Sequence, residues 1–232
     1  MPGPIAAGRA RPDDAGMPAP RSDLADILSH VPVPDAAKAD LCARLSGPTR
    51  HYHGTAHIAL LWQRHRQYGA GLSVQQEPWN TWLACAIAFH DAIYDASRKD
   101  NESRSADLWH AAQPALPPEA IAWVAGTILA TANHLAAQPE PGMAPDAWAA
   151  RAWMLDLDLT PLGEPPSIFD ANTAALRREF AHLSDDAWAN GRAAFLRNIA
   201  ATPRLFRSPV LHDAFEAQAR ANFTREATPP HP

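Results

Sequence analysis

Apolar residues recur along this chain at intervals of three and four, the spacing that places them on one face of an α-helix. The segment after Pro78 is the plainest case, with apolar positions at Trp79, Trp82, Leu83, Ala86 and Ile87. Runs that alternate apolar and polar residues are not evident and β-branched residues are scarce, so strands are not indicated. Proline, with 23 residues, falls mainly between the periodic segments, where it ends helices. The chain is therefore predicted to be all-α.

This periodicity predicts helices over residues 23–29, 34–45, 55–68, 78–94, 100–112, 119–136, 146–162, 185–201 and 209–225. A further helix follows the apolar stripe from Phe169 to Leu183, and Asp146 is expected to be the N-cap of the helix that it begins. No internal repeat and no second apolar core are evident. Residues 23–226 are therefore predicted to form a single helical domain between disordered tails at 1–22 and 227–232.

Net charge, cysteine usage and the length of apolar runs limit what the chain is expected to bind and where it is expected to be found. The formal net charge is −5 and neither half of the chain is strongly basic, so binding to a nucleic-acid polymer is not expected. Cys42 and Cys85 lie far apart in apolar contexts, which favours free thiols and a reducing, cytoplasmic location. No apolar run approaches the roughly 20 residues that span a membrane, and the first 21 residues lack the apolar stretch of a secretory signal.

The first chemical signal is the Phe89-His90-Asp91 tripeptide. His90 follows Trp79 by eleven residues, about three helical turns at roughly 3.6 residues each, so it is expected on the apolar face. A histidine and an aspartate side by side at a buried face can converge on one cation, to which imidazole and carboxylate are both suited. The dipeptide alone is common by chance.

A second signal is Asp158, which stands in a leucine stripe with Leu155, Leu159 and Leu162. A buried carboxylate is costly unless it is paired, so a metal or an arginine is expected beside it. Asp156, two residues earlier, is the alternative candidate for this role, but its spacing does not place it on that stripe.

A third signal is the HYHGTAH segment, in which His53 and His57 are four residues apart. Gly54 stands where the zinc-protease motif HExxH has its glutamate base, which argues against a protease. His57 begins an apolar face with Ile58 and is predicted to point inward, whereas His53 is predicted to face the mouth of a cleft. Two surface histidines at a helix start are the alternative.

Taken together, the order His57, His90-Asp91, Asp158 resembles the HD superfamily of metal-dependent phosphohydrolases. The segments RHYHGTAHI, AFHDAIYD, DNESRSA, TxxH at 131–134, LDLDLTPLG, RREF and GR resemble the small predicted bacterial hydrolases of that superfamily, over roughly residues 50–226. The resemblance implies an HD-domain helical bundle whose metal ligands are His57, His90, Asp91 and Asp158. The chain departs from the family at Gly54, where an asparagine is usual.

Further candidates surround this set. His134, at helical spacing from Thr127 and Thr131, is expected to bind phosphate. Two alternatives stay open: ligation of a second metal, in which His53 could also take part, and a purely structural role. Asp95 and Glu102 follow the His-Asp doublet, and either can orient water or protonate a leaving oxygen, or else be a solvated or capping acid.

The candidates for binding an anionic substrate are arginines and His53. Arg192 interrupts an apolar stripe, so its guanidinium is expected to have an anionic partner: a substrate phosphate, Asp156 or Glu179. Arg50 and Arg178 are weaker candidates for the same role.

The resulting hypothesis is an enzyme that hydrolyses a small phosphorylated metabolite or a nucleotide with metal-activated water. The required divalent cation (Mn, Mg, Co, Ni, Zn or Fe) is not distinguished by these residues. Two alternatives stay open: a di-iron oxygenase on the same fold, and an inactive nucleotide-binding module. The oligomeric state is not indicated.

Overall fold

The computed structural model describes residues 20–227, with side chains from residue 24 onward, and contains no strand in that range. This confirms the all-α prediction. The α-helices are α1 (Pro20–Ser29), α2 (Asp35–Leu45), α3 (Thr55–Tyr68), α4 (Trp79–Phe89), α5 (Asn101–Ala111), α6 (Pro118–Ala130), α7 (Pro145–Leu159), α8 (Pro166–Glu179), α9 (Asp185–Ala201), α10 (Pro209–Leu211) and α11 (Ala217–Ala227). Short 3-10 segments cover Ser73–Gln75, Thr131–Asn133 and Thr160–Gly163, and one π-helical turn, His212–Glu216, joins α10 to α11.

Helix α4 forms the centre of the fold. Every residue from Leu83 to Phe89 is buried, and the helix packs against α3, α5, α6 and α7. A helix that is apolar on all sides belongs in the interior, where its side chains lose their contact with water on every face. The C-terminal end of α4 consequently lies inside the bundle, and the His-Asp doublet follows that end directly.

Helices α3 and α7 pack against α4 and against each other, and α1 covers α3. Helix α7 is also buried on nearly all sides, from Ala150 to Leu157. The 3-10 segment Thr160–Gly163 then packs against α11. Gly163 is required where this segment meets the π-helical turn His212–Glu216, because a Cβ there would lie 2.6 Å from the carbonyl oxygen of Phe215.

Several helix ends differ from the predicted ones. Helix α4 ends at Phe89 instead of Tyr94, and α6 ends at Ala130 instead of Ala136. Helix α7 ends at Leu159, since Pro161 has no N–H with which to continue the helix and a 3-10 turn follows. The prediction that Asp146 is the N-cap is wrong: the cap position is Ala144, and Asp146 lies in the first turn.

The predicted tails at 1–22 and 227–232 fall outside the described residues, except for Pro20–Ser22 and Ala227, which are helical. Within residues 20–227, no helix combines the length and the apolar character needed to cross a membrane. The two cysteines are unpaired; Cys85 is buried and Cys42 partly so.

Candidate metal centre

Four side chains meet where three helices end or begin. His57 lies in the first turn of α3, His90 and Asp91 follow α4 directly, and Asp158 lies in the last turn of α7. Because α3, α4 and α7 pack on one another, their ends bring residues that are up to 101 positions apart in the sequence into contact.

The distances within this cluster are short. Nε2 of His57 is 2.9 Å from Oδ1 of Asp158 and 3.7 Å from Oδ2 of Asp91. Nε2 of His90 is 3.0 Å from Oδ2 of Asp91 and 3.6 Å from Oδ1 of Asp158. Ligand atoms of His57, His90 and Asp91 all lie within 4.8 Å of one another, a separation that one cation can bridge. We refer to His57, His90, Asp91 and Asp158 as the metal cluster.

The orientation of the His90 ring indicates that the cluster needs a positive charge. Nδ1 of His90 is 2.9 Å from the carbonyl oxygen of Ile87, which can only accept, so Nδ1 carries the proton in the neutral ring. Nε2 then presents its lone pair to the carboxylate oxygens of Asp91 and Asp158. This nitrogen is buried, and it lies 3.0 Å from Asp91 and 3.6 Å from Asp158. A cation between the ring and the carboxylates would remove the repulsion.

The neighbouring carboxylates also favour a positive charge at His90, which a proton or a bound cation can supply. Burial opposes the charged form of His90, but Asp91 and Asp158 outweigh it and raise the pKa of the ring well above its usual value. Burial likewise opposes ionisation of the two acids, yet the neighbouring histidines lower the pKa of both Asp91 and Asp158. The carboxylates are therefore ionised near neutral pH, as metal ligation requires.

Asp158 also contacts a third histidine. Its Oδ2 is 2.7 Å from Nε2 of His134, whose side chain is 23% exposed, while Oδ1 faces His57 and His90. The two oxygens of one carboxylate thus face different imidazoles. Arg207 holds the backbone beside His134, because it donates to the carbonyl oxygens of His134, Leu135 and Ala137.

His53 lies at the edge of the cluster and is paired with Glu179. Nδ1 of His53 is 2.6 Å from Oε2 of Glu179, whose other oxygen accepts from the backbone N–H groups of Tyr52 and His53. The imidazole stacks on Tyr94 with ring centroids 3.9 Å apart, and its centroid is 6.1 Å from that of His57. The side chain is 18% exposed, so its free edge can meet a ligand from solvent.

Of the three arginines that were predicted to bind an anionic substrate, two are engaged by other groups of the chain. The guanidinium of Arg50 donates to backbone carbonyls and not to an acid. Arg192 has an anionic partner as predicted, but it is Glu226 and neither Asp156 nor Glu179; it also donates to Thr173. Arg178 is exposed and makes no hydrogen bond or ion pair within residues 20–227.

The two acids that follow the doublet are outside the cluster. Asp95 is exposed, and its Oδ1 accepts from the backbone N–H and the hydroxyl of Ser97, which lowers the pKa of the carboxyl. This is the geometry of a local turn. Glu102, in the first turn of α5, is half-buried and makes no hydrogen bond in the described structure.

Asp156 is placed apart from the metal cluster, although it is completely buried. Its Oδ2 accepts from the backbone N–H of Ser208 at 2.6 Å, and its Oδ1 is 3.6 Å from Arg207. Burial raises the pKa of this carboxyl to about 6, against the lowering effect of those partners. Of the two rivals in the run, Asp158 is the one that contacts His57.

Three residues near the cluster were not among the predicted site residues. Glu179 and Tyr94 hold His53, and the ring of Tyr52 lies 5.2 Å from that of His57. Burial, with the charges of Asp158 and Asp91, raises the pKa of the Tyr52 phenol. The two tyrosines lie inside the segments that carry the resemblance, so their positions were an available signal. Glu179 lies in another of those segments, RREF, but its pairing with His53, 126 residues away, was not predicted.

No family model, curated protein or solved structure matches this chain.

Proposed function

We propose that this protein is a metal-dependent phosphohydrolase of HD type, with its cation held by His57, His90, Asp91 and Asp158. The proposal rests on one observation above all: Nε2 of His57 and Nε2 of His90 each lie within 3.7 Å of a carboxylate oxygen of both Asp91 and Asp158. Two imidazoles with two carboxylates suit divalent ions from Mg and Mn to Fe, Co, Ni and Zn, and the donor set does not choose among them.

A bound divalent cation supplies two things to phosphate-ester hydrolysis, a lower pKa for its water and polarisation of a phosphoryl oxygen. Other groups of the chain hold the proposed metal ligands in their orientations. Nδ1 of His90 is fixed by the Ile87 carbonyl, which directs Nε2 into the centre. Asp158 is fixed from both sides by His57 and His134.

The His53–Glu179 pair is suited to move a proton. Nδ1 of His53 is hydrogen-bonded to Oε2 of Glu179. Nε2 of the same ring is therefore the nitrogen that can accept or donate a proton at the edge of the metal cluster. Glu179 fixes the orientation of the imidazole, as an orienting carboxylate does for a catalytic histidine. Asp95 and Glu102 lack such a connection to the metal cluster. In this proposal His53 therefore takes the role that the sequence assigned to those acids.

The substrate is proposed to be a small phosphorylated metabolite or nucleotide. His134 and the exposed Arg178 stay the candidates for contacting its phosphate, because Arg50 and Arg192 are engaged by other groups of the chain. A cytoplasmic location stays a prediction.

The test compares wild type with Asp91→Ala. Purified protein would be analysed for bound metal and assayed against a panel of phosphate esters with Mn, Mg, Co, Ni and Zn in turn. We expect metal and activity in the wild type, and an activity loss beyond the roughly 100-fold that removing an outer-shell partner costs. Asp185→Ala is the matched control, because that carboxylate is 96% exposed. Equal metal content and activity in Asp91→Ala and wild type would contradict the proposal.

A second candidate function is a di-iron oxygenase, and the contact of Asp158 with two sets of imidazoles favours it. A carboxylate with Oδ1 towards His57 and His90 and Oδ2 towards His134 can bridge two ions. Two irons per chain and turnover that consumes oxygen would support this candidate. One ion per chain, with phosphate release that does not need oxygen, would support the hydrolase.

A further inference from the structure

Arg50 lies in the loop between α2 and α3 and reaches across to the end of α4. Its Nη1 donates to the carbonyl oxygens of His53, at 2.8 Å, and of Asp91, at 2.6 Å. Its Nη2 donates to the carbonyl oxygen of Ala92 at 2.9 Å. The guanidinium therefore joins the backbone that carries His53 to the backbone that carries Asp91.

Asp91 and Ala92 lie two and three residues past the end of α4, in a turn. A backbone carbonyl outside a helix needs a donor from elsewhere, and a positive group is favoured near the C-terminal end of a helix. Helix α4 ends at Phe89, so Asp91 is not fixed by regular helical geometry. The planar fork of the guanidinium bonds two successive carbonyls, and this fixes the direction in which the Asp91 side chain leaves the backbone.

We propose that Arg50 is a positioning residue for Asp91, and that it acts through the backbone and not through contact with the substrate. The inference rests on the proposed metal centre, in which Asp91 is a ligand. It differs from the expectation that Arg50 binds a phosphate. A phosphate-binding arginine brings positive charge to the substrate. A positioning arginine instead donates its three hydrogen bonds to the backbone, whether or not metal and substrate are bound.

Two substitutions separate these roles. Arg50→Lys keeps the charge and loses the fork, and Arg50→Gln loses both. The measurement is Co²⁺ affinity by titration in phosphate-free buffer, with the d–d absorption of the Co²⁺ form and with circular dichroism at the same temperature as a check on folding. Arg44→Lys is the matched control, because Arg44 forms an exposed pair with Asp40 on α2.

We expect both Arg50 variants to bind Co²⁺ about 10- to 100-fold more weakly than wild type, with an altered d–d spectrum, while Arg44→Lys changes neither. At saturating metal, Arg50→Lys should lower kcat and leave KM for the phosphate ester close to that of wild type. Unchanged Co²⁺ affinity and spectrum in folded Arg50→Lys would overturn the inference and leave the centre intact. A wild type that binds no Co²⁺ would overturn the centre as well.

Discussion

His65, on α3 two turns beyond His57, offers a quantitative test of the core on which the site is built. The residue is completely buried, and its ring is bonded at both nitrogens. The indole N–H of Trp153 donates to Nδ1 at 3.0 Å, so Nε2 carries the proton and faces Oδ1 of Asn80 at 3.1 Å. This arrangement fits only the neutral imidazole, since a second proton would point at the Trp153 donor.

Burial accordingly lowers the pKa of His65 from 6.5 to about 4. Because the folded-state pKa lies below the unfolded one, the unfolded chain binds more protons between these values. The contribution of His65 to stability is full above pH 6.5 and is lost as the pH falls towards 4. A shift of this size corresponds to about 3 kcal/mol over the whole window, and to about 2 kcal/mol between pH 7 and pH 5.

The perturbation is His65→Gln, whose amide keeps one donor and one acceptor but does not titrate. Urea unfolding of both proteins at pH 7, 6 and 5 gives the stability difference between them, and groups that titrate in both proteins cancel. We expect wild type to be the more stable at pH 7 and its advantage to shrink by about 2 kcal/mol at pH 5. An advantage that does not change with pH would show that burial does not lower the pKa of His65.

Three further substitutions test other parts of the structure. Asp158→Asn removes the charge that faces His57 and His134, so bound metal should fall below a stoichiometric amount in elemental analysis, whereas the exposed Asp170→Asn should bind as wild type does. Gly163→Ala places a Cβ 2.6 Å from the carbonyl oxygen of Phe215, and we expect a loss of about 1–3 kcal/mol in urea unfolding. Glu179→Gln should lower kcat about 100-fold with metal content unchanged, because His53 loses the carboxylate that orients its proton. Normal stability in Gly163→Ala, or normal kcat in Glu179→Gln, would contradict these assignments.

Helical periodicity was enough to predict the all-α class and where most of the helices lie. It placed His57 and Asp158 on inward faces, and both side chains lie in the cluster. The reason is that burial of an apolar face is a local property of each helix, and the sequence spacing records it directly.

Periodicity failed where the structure depends on contacts between distant segments. The prediction extended α4 to Tyr94, whereas Arg50 binds the carbonyl of Asp91 just after the helix ends at Phe89. Asp156 was judged to be off the buried stripe, but α7 is buried on nearly all sides and has no single stripe. The sequence also did not predict which acid pairs with which basic residue: Arg192 pairs with Glu226, and His53 pairs with Glu179.

An anomalous difference map of crystals grown with Mn²⁺ or Zn²⁺ would show whether one cation lies among His57, His90, Asp91 and Asp158. We expect a peak at bonding distance, about 2.0–2.2 Å, from Nε2 of His57 and of His90 and from one oxygen of each carboxylate. A map with no peak among these four side chains, or with the metal held elsewhere on the chain, would contradict the proposed metal centre.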